Sequence, residues 1–94
     1  MAMSFAQRVS IPDNVMLREL EGESVILDLD SESYFGLDEV GTRMWQVVTE
    51  SPSIQAAFEA LAEEYEVEPQ TLRDDLGELI GTLLDRWLIE VADG

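Results

Sequence analysis

The fold is decided by residues 24–45, SVILDLDSESYFGLDEVGTRMW. The first seven residues contain the β-branched Val25 and Ile26 and then alternate leucine with aspartate, a pattern that predicts a half-buried strand. Ser31 and Glu32 predict a tight turn, and the aromatic segment 33–37 predicts a further strand. From Asp38 onward the apolar spacing becomes helical, and the Asp38 carboxylate suits the N-cap position. The stretch therefore predicts two strands followed by a helix.

The flanking residues add one strand before this stretch and two helices after it. Residues 16–20 predict a short strand, and residues 21–23 predict the turn that joins it to the next, so three strands form an antiparallel meander. Ser53 follows a break at Pro52 and caps a second helix, whose apolar residues recur at helical spacing through residues 54–65. Pro69 suits the first position of a third helix, which is expected to run to about Arg86.

Strands in one block and helices in another predict an α+β domain. We expect a three-stranded antiparallel meander followed by a three-helix bundle, similar to a winged helix-turn-helix. Residues 1–14 are expected to form a flexible N-terminal arm, and residues 15–92 a single domain. Residues 88–91 are compatible with either a short strand or a packed tail.

Charge limits the classes of partner. The chain carries 21 acidic residues against five arginines and no lysine, for a net charge of -16. Phosphate backbones and anionic membranes would both repel it. We therefore expect no nucleic-acid partner and no membrane partner, and we expect partners that are neutral or basic proteins and peptides. Acidity that serves only solubility is the alternative interpretation.

Composition also argues against catalysis and against metal binding. The chain has no cysteine and no histidine, so thiolate chemistry and a Ser/His/Asp triad are excluded, and zinc and haem sites are not expected. Acid–base catalysis would need a carboxylate pair in an apolar pocket, whereas the acidic residues here are typical of solvated faces and caps. We predict a binding module that is not an enzyme and that needs no cofactor and no metal.

No targeting or membrane segment is evident. No stretch approaches the roughly 20 apolar residues that span a bilayer. The first residues lack the charged start and apolar run of a signal peptide. We therefore expect a cytoplasmic protein.

The third predicted helix has two borders beside its apolar face. At 100° per residue, one border carries Asp75, Thr82 and Arg86 next to Leu79, and the other carries Gly77 and Gly81. A glycine inside a helix costs roughly 1 kcal/mol relative to alanine. The glycine border therefore suggests either tight internal packing or a groove for a partner.

The third strand is the other candidate for a binding site. An outer strand of a meander keeps unpaired N–H and C=O groups, to which an extended peptide can add as a further strand. Tyr34 and Phe35 would supply the side-chain pockets. The acidic residues around the strand are compatible with protection against self-association and with attraction of a basic peptide. An open edge also permits a monomer or a homodimer.

Residues 25–45 resemble the PqqD-like family, whose members show an apolar strand, a short turn, an aromatic strand, and then a helix with a glycine or alanine and a tryptophan. Residues 53–65 resemble the second helix of that family, and residues 75–86 its Asp-led third helix. The resemblance covers about residues 15–90 in the right order and spacing.

The resemblance implies a recognition element for ribosomally made, post-translationally modified peptides. Such a domain binds the leader of a precursor peptide by strand addition and presents it to a modifying enzyme such as a radical-SAM protein, a leader peptidase or a cyclase. Carried over by position, the peptide-binding residues are Tyr34, Phe35, Gly36, Leu37, Leu72, Asp75, Leu79 and Thr82. This favours the Asp75 border as the site and leaves Gly77 and Gly81 to internal packing.

The chain departs from the family at two positions. Asp38 stands where asparagine is commoner, although either residue can cap a helix. Trp87 stands where the family usually has glycine, which would end the third helix through a left-handed residue. Trp87 implies either a different helix end or a ring that seals the core.

An acidic winged-helix adaptor or regulator that binds another protein is the alternative function.

Overall fold

The computed structural model describes residues 4–93, which contain five strands and three helices. In chain order these are β1 (Gln7–Ser10), β2 (Val15–Leu20), β3 (Glu23–Asp28), β4 (Ser33–Leu37), α1 (Glu39–Glu50), α2 (Ile54–Glu64), α3 (Pro69–Asp85) and β5 (Glu90–Asp93). The predicted α+β class and the order of strands before helices are confirmed. No helix in residues 4–93 is both long and apolar enough to cross a membrane.

Strands β2, β3 and β4 form the predicted antiparallel sheet, in that order. The register places Ile26 of β3 between Leu17 of β2 and Phe35 of β4. Glu21 and Gly22, which join β2 to β3, both have positive φ angles, of 51° and 90°. Two such residues in a two-residue connection match the right-handed twist of a hairpin, and this turn fixes the register of the sheet.

Local signals start the helices where the sequence predicted. The Asp38 carboxylate accepts a hydrogen bond from the backbone N–H of Gly41 at 2.8 Å and caps α1. The Ser53 hydroxyl oxygen accepts one from the N–H of Ala56 at 3.0 Å and caps α2. Pro69 lies in the first turn of α3, where its missing N–H leaves no intrahelical bond unmade.

The core lies between the inner face of this sheet and the three helices. Ile26 of β3, Trp45 of α1, Leu61 of α2 and Ile80 of α3 are all buried in one cluster. The apolar face of α3 therefore lies in the core along most of its length, and only its margin is left for a ligand.

Residues 7–10 do not form the flexible arm that was expected. They form β1, which pairs antiparallel with β5, Val9 opposite Val91. Upstream, the carbonyl of Phe5 accepts a hydrogen bond from the N–H of Gln55 at 2.8 Å, and the Phe5 ring contacts the Phe58 ring edge to face. Burial of Val9 and these contacts hold the segment in place. Residues 1–3, also assigned to the arm, lie outside the described residues.

The end of α3 contradicts both expectations for Trp87, a different helix end and a ring that seals the core. Trp87 adopts a φ of 61°, the N–H of Trp87 donates to the carbonyl of Leu84, and the N–H of Leu88 donates to the carbonyl of Leu83. This is the Schellman arrangement that glycine usually closes. The Trp87 ring is 81% exposed and does not seal the core; Leu88 does, at 3% exposed. The chain then continues into β5 as a strand.

Candidate functional site

Strand β4 is an edge strand. It pairs with β3 on one side, and within residues 4–93 no strand pairs with its other side. The backbone groups on that side point away from the sheet, which leaves them available to an added strand.

A groove lies beside this edge, between β4 and α3. It has a volume of about 270 Å³ and is lined by Phe35, Asp75, Glu78, Leu79 and Thr82. We call it the β4–α3 groove. The four helix residues share one face of α3, because positions 75, 78, 79 and 82 follow the three- and four-residue spacing of a helix. Phe35 reaches the groove from the inner face of the sheet.

The charges of the groove are unevenly placed. The carboxylates of Asp75 and Glu78 lie along it, and both residues are exposed. At the C-terminal end of α3 the guanidinium of Arg86 lies over the Phe35 ring, 5.0 Å from its centroid. Arg86 lies four residues beyond Thr82 and so continues the same helix face. The groove therefore has two carboxylates along the helix and one cation at its end.

Four of the eight residues assigned by resemblance meet in this groove: Phe35, Asp75, Leu79 and Thr82. Leu37 and Leu72 are buried in the core instead, at 6% and 3% exposed. They support the walls of the groove and do not line it.

The remaining two, Tyr34 and Gly36, lie on the outer face of the sheet, because successive side chains of a strand point to opposite faces. Tyr34 is 73% exposed. A Cβ atom added at Gly36 would meet nothing within 4 Å. Only their backbone groups, as part of the β4 edge, adjoin the groove.

Two residues near the groove were missed. Glu78 is one of the acidic residues that the sequence assigns to solvated faces and caps, yet it lines the groove beside Leu79. Arg86 was placed on the correct border but was not assigned to the site. In both cases the signal was the helical spacing from Asp75 and Thr82.

The glycine border is not a tight contact at Gly81. A Cβ atom added there would meet nothing within 4 Å beyond the backbone of the helix itself. The expectation of internal packing is therefore wrong at this position. The space beside Gly81 is open enough for an alanine.

A second, larger cleft of about 460 Å³ lies elsewhere, between β1 and the connection from α1 to α2. It is lined by residues 8–11 and 49–52 and by no aromatic side chain. β1 contributes to it and, among the described residues, pairs on one side only, with β5, but no aromatic ring lies beside that strand in the cleft. Volume alone would favour this cleft, but the recognition of an extended chain favours the β4–α3 groove.

Residues 4–93 contain no cluster of three or more acidic side chains arranged to hold a metal ion. What the β4–α3 groove offers is a strand edge, an aromatic ring, an aliphatic side chain and charges of both signs. This combination fits an extended peptide, whose backbone would pair with the edge while alternate side chains enter the groove.

Comparisons with known proteins agree with this fold. The family model described as coenzyme PQQ synthesis protein D (PqqD) matches residues 23–89. The match covers the last two strands of the three-stranded sheet and all three helices, and it confirms the family resemblance. No curated protein sequence matches the chain.

Two solved structures are similar. TbiB1 in complex with the TbiA(beta) leader peptide is 33% identical with a TM-score of 0.79, over 86% of this chain and 94% of that one. Lasso peptide synthetase B1, complexed with the leader peptide, is 21% identical with a TM-score of 0.76, over 90% of this chain and 98% of that one. The second likeness concerns the fold alone.

Proposed function

The chain belongs to the PqqD family, and from that premise we propose that it binds the leader of a ribosomally synthesised precursor peptide and presents it to a modifying enzyme. The observation that carries the proposal is the β4–α3 groove beside an open strand edge. The relative TbiB1, which shares 33% of its residues with this chain, has a leader peptide as its ligand. The chain acts as a peptide chaperone and not as a catalyst.

In the proposed mode the leader adds as a strand to the free edge of β4. Backbone groups of residues 34–37 supply the hydrogen bonds, which depend little on the sequence of the leader. Selectivity comes from side chains that contact alternate leader residues. Phe35 and Leu79 receive apolar side chains, while Asp75 and Thr82 receive polar ones.

The buried pair Leu37 and Leu72 has an indirect part in this mode. Each anchors one wall of the groove to the core. Truncation of either side chain would both widen the groove and destabilise the domain. Neither residue is therefore suited to a test of binding alone.

The test is a titration of isotopically labelled protein with two synthetic peptides, observed through backbone amide NMR signals. One peptide is the leader of a precursor encoded beside the gene, and the other is the TbiA(beta) leader. We expect shifts concentrated in residues 33–37 and 75–86. Shifts confined to β1 and β5, or no saturable shift with either peptide, would contradict the proposal.

Two adjacent aromatic residues supply a matched pair of variants. Phe35→Ala removes the ring that lines the groove, and Tyr34→Ala removes a ring from the outer face of the same strand. We expect Phe35→Ala to weaken leader binding about tenfold or more, as for a central aromatic contact. Tyr34→Ala should change it by less than about threefold. Equal losses would place the leader somewhere other than this groove.

Other expectations from the sequence remain predictions. They are the extent of the domain to residue 92, the likeness to a winged helix-turn-helix and the cytoplasmic location. The adaptor alternative predicts a folded protein partner whose binding does not compete with a leader peptide. Competition between the leader and such a partner would show that both bind the same surface of the domain.

A further inference from the structure

The five arginines of this acidic chain differ in what they contact. Arg43 forms an ion pair with Glu64 at 2.6 Å. Arg73 lies over the Phe5 ring, 3.9 Å from its centroid. Within residues 4–93, no carboxylate lies within ion-pair distance of Arg86. Over the same range of residues, Arg8, Arg18 and Arg73 form no ion pair either. What distinguishes Arg86 is that it lies exposed over Phe35 at the end of the groove.

The Phe35 ring explains how Arg86 is held. A guanidinium over an aromatic face is attracted by the ring and loses some of its side-chain freedom. The Arg86 guanidinium donates no side-chain hydrogen bond within residues 4–93, so its planar fork of N–H donors is available to a planar acceptor. A carboxylate is the acceptor that this fork of donors fits best. Arg86 is thus held at the end of the β4–α3 groove in a form suited to an acidic side chain.

We propose that Arg86 determines specificity by pairing with an acidic side chain of the bound peptide, while Asp75 and Glu78 select a basic one further along. The inference rests on the proposed peptide binding and adds to it the charge pattern of the ligand. The net negative charge of the protein attracts basic residues of a peptide and repels acidic ones. An acidic residue of the peptide is therefore favoured only beside a cation such as Arg86.

The helix sets the spacing between the two charges. Arg86 lies eight residues after Glu78 and eleven after Asp75, which corresponds to about 12–16 Å along the helix axis at about 1.5 Å per residue. An extended peptide advances about 3.3 Å per residue, so this distance spans about four or five of its residues. Side chains on one face of a strand are separated by even numbers. The expected ligand therefore carries an acidic and a basic residue about four positions apart.

The test uses a displayed library of random peptides of about 12 residues, long enough to span the groove. It is selected in parallel on the wild-type chain and on four variants: Arg86→Gln, Arg86→Glu, Arg18→Gln and Phe35→Ala. Arg18 lies exposed on β2, opposite Val25 on the outer face, so its variant matches the change in net charge away from the groove. Thermal unfolding of each variant checks that the fold is kept.

We expect wild type and Arg18→Gln to enrich peptides with the four-residue charge spacing. Arg86→Gln should lose the preference for the acidic residue by about tenfold, the usual scale of one charge-assisted hydrogen bond, and should keep the preference for the basic one. Arg86→Glu should reverse the preference at that position from acidic to basic.

Two outcomes would overturn the inference and leave the proposed function standing. One is an acidic preference that survives in Arg86→Gln, and the other is an equal loss in Arg86→Gln and Arg18→Gln. If wild type enriches no peptide over Phe35→Ala, peptide binding in the groove is itself refuted, and the inference with it.

Discussion

The left-handed residue at the end of α3 allows a test of the backbone in which two substitutions differ by one methyl group. Trp87 has a φ of 61° and closes the Schellman arrangement in the place of a glycine. Its ring is 81% exposed, so Trp87→Gly and Trp87→Ala lose the same small amount of side-chain contact. The difference between these two variants reports the cost of the left-handed backbone for a residue with a Cβ atom, less the entropic cost of ordering glycine.

The magnitude follows from two opposing terms. A residue with a Cβ atom in the left-handed region costs about 1–2 kcal/mol. Glycine gains more conformational freedom in the unfolded chain, which lowers folded-state stability by about 0.5–1 kcal/mol relative to alanine. Trp87→Gly should therefore be more stable than Trp87→Ala by roughly 1 kcal/mol, which is about 4–8 °C in Tm for a domain of this size.

Gly81, six residues earlier, should show the opposite sign. It lies inside α3, and an added Cβ atom would meet nothing within 4 Å beyond its own helix. Gly81→Ala should therefore stabilise the domain by up to about 1 kcal/mol. Urea and thermal unfolding, followed by circular dichroism, measure both effects. If alanine were at least as stable as glycine at position 87, α3 would not end through a left-handed residue and the account of the helix end would be refuted.

Three further predictions concern the sheet and its attachment to α1. Thr42→Val should cost about 1–3 kcal/mol in urea unfolding, because it leaves the buried Ser24 hydroxyl without its 2.7 Å partner; adding Ser24→Ala should recover part of the loss. The hydrogen bond from Asn14 lowers the pKa of Asp28 below its usual value. This bond therefore stabilises the folded domain fully at pH values above the ordinary carboxyl pKa, and the stabilisation is lost as the pH falls through the lowered pKa of Asp28. Asn14→Ala should therefore lower Tm at neutral pH and converge with wild type in acid; a constant difference would contradict this. Gly22→Ala should destabilise the hairpin by about 1 kcal/mol in thermal unfolding, since Gly22 has a φ of 90°; an unchanged Tm would show that the turn tolerates a side chain.

The sequence predicted the parts of the fold that depend on neighbouring residues. The caps at Asp38 and Ser53, the proline that starts α3 and the alternation in β3 are all local patterns, and the structure has each of them. Pairing of β1 with β5 was not predicted. It joins two four-residue strands from opposite ends of the described chain, and neither strand is long enough to show a period of its own.

The sequence predicted which border of α3 faces the candidate site, but it did not predict which residues line the groove and which are buried in the core. Helical spacing placed Asp75, Leu79 and Thr82 on one border, and the structure brings them together with Phe35. The spacing could not show how far α3 stands from β4. That separation decides that Leu72 is core while Glu78, read as a solvated residue, lines the groove.

Pairing of β1 with β5 has a consequence for how this domain can be joined to other chains. Gln7 lies opposite Asp93, so the two ends of the described chain are neighbours across one antiparallel ribbon. No residue of that ribbon lines the β4–α3 groove. The domain could be inserted as a unit into a surface loop of a host protein, or permuted by linking its ends, with every groove residue unchanged.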